Sequence, residues 1–95
     1  MNAREMIFRI EVTPRARKDL KALPKRERQR VSEQIDGLKT DPRPVGCKKL
    51  EGREDFYRIR VGDHRVVCQI EDDILLILIV RVGDRREIYE IIRRL

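Results

Sequence analysis

The chain has 95 residues, a formal net charge of +6, and a composition that is 42% charged and 40% hydrophobic. This length suits one domain, spanning residues 1–95, with a single modest core. The apolar share is too high and too well patterned for a disordered tail. The apolar run at 74–80 is far shorter than the roughly 20 residues that cross a bilayer, and the N-terminus lacks an apolar signal-peptide segment, so we expect a cytoplasmic protein.

The positive charge is unevenly distributed along the chain. Residues 1–50 carry 14 Lys and Arg against 7 acids, whereas residues 51–95 carry 9 Arg, no Lys and 10 acids. A basic surface predicts attraction to nucleic acid, to an anionic membrane or to an acidic protein. In the second half, the basic character rests on arginines at particular positions.

The cysteine and histidine content predicts neither a metal site nor a cofactor. Cys47 and Cys68 are isolated in the sequence, and His64 is the only histidine. Without a secretion signal, two free thiols are favoured over one disulfide. A structural zinc site lacks ligands.

The first half of the chain predicts a strand followed by two helices. Apolar residues recur at every second position over 6–12, the period of a strand with one buried face. Thr13 and Pro14 follow as a helix N-cap and a first-turn proline, and this helix is predicted to run to about Leu23. A second helix is predicted over 25–39, before a loop that contains Pro and Gly.

The second half predicts three strands and a terminal helix. The predicted strands are Phe56–Val61, His64–Glu71 and residues 74–82. Tight turns at Gly62-Asp63 and Asp72-Asp73 connect them. An apolar stripe predicts the helix, and its members are Ile88, Ile91, Ile92 and Leu95. The order β-α-α-β-β-β plus a short C-terminal helix indicates an α+β fold, in which the helical pair covers one face of a small antiparallel-dominated sheet.

Three arginines of the predicted hairpin share one face of the sheet. With Gly62 and Asp63 as the loop, Arg60 lies opposite Arg65. Arg58 lies on the same side, because alternate strand residues point the same way. Like charges directly opposite each other destabilise a sheet. An anionic ligand would compensate for this repulsion, and we expect the face opposite the helical pair to be open to it.

The register of the last two strands follows from the second tight turn. It places Arg65 near Val80 and His64 near Arg81. Because His64 then lies on the side of the sheet opposite the arginines, we interpret it as structural rather than catalytic.

The segments KKLEG, FYRIRVGDHRVV and DDILLILIVRVGDRREIY resemble the C-terminal half of the RelE branch of the RelE/ParE toxin superfamily. The preceding strand, helical pair and LKTDPRP loop fit the same family, so the resemblance covers essentially the whole chain. It implies a type II toxin that cleaves messenger RNA in the ribosomal A site without a metal or another cofactor. It also implies two partners, a RelB-like antitoxin and the ribosome with its mRNA. The terminal apolar stripe would dock on the domain or yield to a helix of the antitoxin.

The resemblance implies roles for eight residues. The catalytic set is Arg60, Arg65, Arg85 and Tyr89, and the RNA-binding set is Lys48, Lys49, Arg58 and Arg86. The later catalytic arginine is Arg85, or Arg86 if a shorter loop shifts the register. The family mechanism is attack of a ribose 2′-oxygen on the adjacent phosphate with release of the next nucleotide's 5′-oxygen. Guanidinium groups suit the charge that develops on that phosphate.

The general base is left open by the sequence. Arg58 and Arg60 stand where better-studied relatives often have lysine, and arginine stays protonated at physiological pH. The alternatives are Tyr89, Glu87 or an unusual deprotonated arginine. Tyr89 also has a competing interpretation as a core aromatic.

Two other functions compete with RNA cleavage. A ParE-like inhibitor of DNA gyrase has the same fold but no need for converging arginines. A catalytically degenerate member, or a basic binding module, would use the cluster for binding alone. Arg58 and Arg60 also have acids within reach in residues 51–55, which would neutralise them without a ligand.

Overall fold

The computed structural model describes residues 7–94, so Met6 of the first predicted strand and Leu95 of the terminal stripe lie outside it. The elements in chain order are β1 (Arg9–Val12), α1 (Pro14–Lys21), α2 (Lys25–Gly37), β2 (Cys47–Lys49), β3 (Phe56–Val61), β4 (His64–Glu71), β5 (Leu76–Asp84) and α3 (Arg85–Arg94). The strands form a sheet in the order β1-β5-β4-β3-β2, with β1 parallel to β5 and the other pairs antiparallel. This architecture confirms the predicted α+β class.

The first helix begins where the sequence predicts. Thr13 Oγ1 accepts from the Ala16 backbone N–H at 3.1 Å, and the same hydroxyl donates to the Val80 carbonyl at 3.1 Å. Pro14 occupies the first turn of α1, where no backbone N–H is needed. Both α1 and α2 end slightly earlier than predicted, and β1 is shorter than its prediction. None of the helices of residues 7–94 has the length and apolar character of a membrane span.

Helices pack on both faces of the sheet. On one face the helical pair buries Val31 and Ile35 of α2 against the strands. On the other face α3 packs Ile88 against Leu50 and Val67. The expectation that this second face is open is therefore wrong in part, because the apolar stripe of α3 needs a surface to cover. A ligand of this face must bind beside α3.

The register between β4 and β5 differs from its prediction. Arg65 pairs with Gly83 rather than with Val80. One reason is the turn, which is longer than Asp72-Asp73: the last pair is Glu71 with Leu76, so four residues lie between the strands. Leu75 in this turn has a φ of +50°, a left-handed conformation that a leucine side chain does not signal.

A β-bulge adds to the same shift. The register changes between Val67 and Cys68, which leaves an extra residue on β5. His64 consequently pairs with Asp84, and the predicted proximity to Arg81 is wrong. Its place on the face opposite the arginines follows from strand alternation and is unaffected.

Arg81 instead connects β5 to α1. Its Nε donates to Asp19 Oδ2 at 2.8 Å, and the same carboxylate oxygen accepts from the Val82 backbone N–H at 2.9 Å. Both charged side chains are mostly buried, so the loss of either one would leave the other as a buried charge without its partner. It fixes the helical pair against the part of β5 that continues beyond β1.

The two cysteines are free, as expected. Cys47 lies on β2 and Cys68 on β4, with β3 between them. Two strand spacings, about 9–10 Å, exceed the reach of a disulfide. Burial raises the pKa of the Cys68 thiol to about 12, so this thiol is unreactive.

Candidate active site

The two-residue turn between β3 and β4 sets up the arginine face. Gly62 has a φ of +61°, a conformation that glycine adopts without strain. Arg60 pairs with Arg65 and Arg58 with Val67, which confirms the predicted register. Because Val67 packs against α3, the three arginines lie on the sheet face that α3 partly covers.

Arg65 is the buried member of this group, with 8% of its surface exposed. Its Nη1 donates to the carbonyl oxygens of Gly62 at 3.1 Å and of His64 at 3.0 Å. The Nε atoms of Arg65 and Arg58 are buried and have no hydrogen-bond partner among the described residues. Buried donors without partners are costly, so a hydrogen-bond acceptor that reached these atoms would be favoured.

Arg58, Arg60 and Arg65 form no ion pair among the described residues. Burial is the largest cause that lowers the pKa of Arg65, followed by the charges of Arg58, Arg60 and Arg85. The ion pairs that the structure shows among residues 7–94 involve other basic side chains. The alternative in which acids of residues 51–55 pair with these arginines therefore finds no support in that part of the chain.

The start of α3 is fixed next to the β3–β4 turn. The Asp84 N–H donates to Glu87 Oε1 at 3.0 Å, and the Glu87 N–H donates to Asp84 Oδ1 at 2.8 Å, a reciprocal capping box. The Arg85 N–H donates to the carbonyl of Asp63 at 3.1 Å. These bonds place the first turn of α3, with Arg85 and Arg86, beside the arginine face.

A cleft of about 460 Å³ lies between α3 and the arginine face. Its lining combines four arginines with an aromatic, an acidic and two aliphatic side chains, namely Arg58, Arg65, Arg85, Arg86, Tyr89, Glu90, Ile88 and Ile92. Tyr89 is 64% exposed, so its interpretation as a core aromatic is wrong. Guanidinium donors suit a phosphate, and the tyrosine ring suits a nucleoside base or sugar.

Three of the residues singled out in the sequence lie outside the cleft lining. Arg60 is exposed and does not line the cleft. Lys48 lies across from Arg58 in the β2–β3 register and therefore shares the arginine face. Lys49 lies across from Tyr57, on the face of the helical pair. Of the two lysines, only Lys48 extends the basic surface.

Only some of the candidate proton-transfer groups line the cleft. His64 lies on the opposite sheet face, and Glu87 is engaged in capping α3, whereas Tyr89 lines the cleft. Glu90 also lines the cleft, and sequence reasoning missed it. Helical spacing offers a signal, because Glu90 lies four residues after Arg86 and thus on the same side of a helix.

A family model described as the ParE toxin of the type II toxin–antitoxin system, parDE, matches residues 10–89. The chain belongs to this toxin family. A protein of Methanocaldococcus jannaschii assigned as toxin RelE1 is 35% identical to it over 88 residues, which cover 90% of this toxin and 98% of that protein. The RelE/ParE resemblance seen in the sequence is thereby confirmed.

Solved RelE structures share the fold of the toxin. In the toxin–antitoxin complex RelBE2 of Mycobacterium tuberculosis, the matching chain has a TM-score of 0.75 and 30% identity, with 88% of this toxin and 98% of that chain covered. In the archaeal RelE–RelB complex of Pyrococcus horikoshii OT3, the matching chain has a TM-score of 0.74 and 33% identity. The match covers 84% of this toxin and 97% of that chain. Both matching chains come from complexes with an antitoxin.

Proposed function

We propose that this toxin is a ribosome-dependent endoribonuclease that cleaves messenger RNA in the A site without a metal ion. The supporting observation is the cleft, in which four arginines meet an exposed tyrosine and two of the arginines have a buried Nε without a partner among residues 7–94. These groups suit a phosphate together with the nucleoside attached to it. The toxin would act in the cytoplasm, where ribosomes translate.

The proposed reaction is an internal transfer within the RNA. The ribose 2′-oxygen attacks the adjacent phosphorus, the bond from phosphorus to the 5′-oxygen breaks, and the ends become a 2′,3′-cyclic phosphate and a 5′-hydroxyl. The 2′-hydroxyl gives up a proton and the leaving 5′-oxygen gains one. The pentacoordinate transition state carries more negative charge than the substrate, so Arg58, Arg65 and Arg85 stabilise it preferentially.

Two cleft groups other than the arginines are suited to moving these protons. Tyr89 has a phenol that donates to the leaving oxygen or a ring that stacks on a base. Glu90 has a carboxylate that accepts a proton, and it also accepts from Arg93 Nη1 at 3.4 Å. Because arginine stays protonated, these two side chains are the groups of the cleft that would transfer the protons.

We also propose a RelB-like antitoxin as the physiological partner. The Mycobacterium tuberculosis and Pyrococcus horikoshii structures that match this chain contain such antitoxins. The net charge of +6 favours an acidic partner. An antitoxin that covers the arginine face would neutralise the repulsion there and exclude RNA at the same time.

Inhibition of DNA gyrase is the second candidate, because the matching family model carries the ParE name. A gyrase inhibitor acts by binding and has no need for unpartnered guanidinium nitrogens beside an exposed tyrosine. The cleft therefore favours the ribonuclease. A module that only binds RNA would keep the cleft without cutting.

Primer extension on translating ribosomes tests the proposal. Wild type, Arg65→Ala and Arg94→Ala are compared, each with and without excess chelator. Arg94 is the matched control, because it is exposed on α3 and does not line the cleft. We expect wild type and Arg94→Ala to cleave within A-site codons regardless of chelator, and Arg65→Ala to be about 10²–10³-fold slower.

The opposite results separate the rival functions. A folded wild type that leaves the mRNA intact but blocks supercoiling by gyrase would support the second candidate. A wild type that binds ribosomes and inhibits neither process would identify a binding module.

A further inference from the structure

Three successive carbonyls, two in the β3–β4 turn and one at the first residue of β4, accept hydrogen bonds from two arginines of the cleft. The carbonyls of Gly62 and His64 accept from Arg65 Nη1 at 3.1 and 3.0 Å. The carbonyl between them, that of Asp63, accepts from the backbone N–H of Arg85 at 3.1 Å. One turn thereby holds a side chain of β4 and the first residue of α3.

The turn also contacts the end of the side chain of Arg30, an exposed residue of α2. A Cβ built on Gly62 would lie 2.9 Å from Nη1, 3.1 Å from Cζ and 3.3 Å from Nη2 of Arg30. The similar distances show that the guanidinium group of Arg30 lies over the bare Cα of Gly62. Arg30 does not line the cleft, so it acts on the turn and not on a ligand there.

We propose that Arg30 and Gly62 are positioning residues of the cleft: Arg30 supports the turn, and the turn carbonyls hold Arg65 and Arg85 in a fixed relation. The effect on catalysis rests on the proposed ribonuclease function. The effect on the geometry of Arg65 does not.

The hydrogen bonds to the turn carbonyls counteract the mutual repulsion of the clustered arginines. Like-charged guanidinium groups repel one another, so without fixed partners they would spread into solvent and have to be gathered for each reaction. The turn carbonyls offset part of the repulsion at Arg65 and fix the Nη1 end of its guanidinium group, which belongs to the cleft lining. Donors that are already in place stabilise a transition state without reorganisation.

Gly62→Ala and Arg30→Ala are the test variants, and Arg26→Ala is the matched control. Alanine is strained at the φ of +61°, and its methyl group requires the flexible end of the Arg30 side chain to move away. Arg30→Ala removes the side chain that contacts the turn and leaves the turn sequence intact. It therefore tests the positioning role even if Gly62→Ala does not fold. Arg26 is exposed on the same helix, and its replacement removes the same charge.

The first readout is the NMR order parameter of the Arg65 Nε–H bond, measured on the free protein. We expect a rigid value in wild type and Arg26→Ala, and a fall below about 0.6 in both test variants while the strand amides stay rigid. The second readout is ribosomal cleavage, in which kcat of the test variants falls by about 10²-fold and KM keeps its wild-type value, because misplaced donors weaken the transition state alone.

Three results would overturn the proposal. These are an Arg65 order parameter that stays at the wild-type level in both test variants, an equal loss in Arg26→Ala, or a wild-type kcat despite a mobile Arg65. If wild type does not cleave RNA, the proposed function fails, and the NMR comparison still decides whether the turn positions Arg65.

Discussion

Arg65 lies directly across from Gly83 in the pairing of β4 with β5. Because Gly83 has no side chain, the first turn of α3 approaches β5 closely: a Cβ on Gly83 would lie 3.1 Å from Glu87 Oε1 and 3.3 Å from Glu87 Cβ. This approach brings Arg85 to Arg65, where its charge adds to burial in lowering the pKa of Arg65. The cleft thus depends on a close strand–helix contact as well as on the arginines.

Gly83→Ala is expected to loosen this contact. The added methyl group forces the capping side chain of Glu87 outward, which should destabilise the fold by about 1–3 kcal/mol and slow RNA cleavage. Gly37→Ala is the control, since a Cβ there meets none of the described residues within 4 Å, and it should stabilise α2 by about 0.5–1 kcal/mol. Urea denaturation with the cleavage assay checks both, and equal effects of the two substitutions would refute the contact's importance.

Arg60→Gln is expected to make the fold more stable and RNA cleavage slower. Arg60 lies opposite the buried Arg65, so removing its charge relieves a like-charge pair and should stabilise the fold by about 0.2–1 kcal/mol. Salt screens exposed charges, so the gain should shrink at high ionic strength. Cleavage should slow, because a positive charge near the phosphate is lost. Urea midpoints at low and high salt provide the measurement, and a variant less stable than wild type at low salt would contradict the prediction.

Tyr89→Phe and Glu90→Gln are expected to show which side chain donates a proton and which accepts one during cleavage. Each variant loses one proton-transfer group of the cleft while keeping its shape, and each should slow cleavage by about 10²–10⁴-fold if that group moves a proton. The pH–rate profile assigns the roles: loss of an acid removes the fall in rate at high pH, and loss of a base removes the fall at low pH. Wild-type rates in both variants would leave the arginines as the sole source of catalysis.

Asp72→Asn is expected to weaken a link between the loop after α2 and the β4–β5 turn. Arg43 Nη1 and Nη2 donate to the two oxygens of Asp72 at 3.0 and 2.8 Å, and Nη2 also donates to Tyr57 Oη at 3.1 Å. The hydrogen bond from Arg43 is the main cause that lowers the pKa of Asp72. A carboxyl group with a lowered folded pKa stabilises the fold above its unfolded value of about 4, and that contribution is lost as the pH falls through the folded pKa.

The pair is exposed, so the loss at pH 7 should be no more than about 1 kcal/mol. Wild type and variant should converge as the pH falls well below about 4. Thermal unfolding across this range checks the prediction. A difference of the same size at both ends would show that the carboxylate charge has no part in it.

The sequence predicts the arginine hairpin because its turn is local. Two residues, one of them a glycine, suffice to fix the register of β3 with β4, and with it the common face of Arg58, Arg60 and Arg65. The next register depends on a left-handed Leu75 and on a bulge, and neither has a side-chain signature. The edge strand β2 is also unpredicted, since three residues are too few to show a period.

The cleft is predictable only in part for a similar reason. Arg58, Arg65 and Tyr89 were expected to belong together, and they line the same cleft. The inclusion of Glu90 and the exclusion of Arg60 depend on how α3 packs across the sheet. That packing rests on tertiary contacts, which no local pattern encodes.

The most direct test of the proposed chemistry uses two messenger RNAs on programmed ribosomes. They are identical except for a single 2′-deoxynucleotide immediately before the scissile phosphate of the A-site codon. We expect wild-type toxin to cleave the all-ribose message, giving 5′-hydroxyl ends, and to leave the substituted message intact. Cleavage of both messages, or 5′-phosphate ends, would contradict attack by the 2′-oxygen, and an intact all-ribose message would contradict RNA cleavage itself.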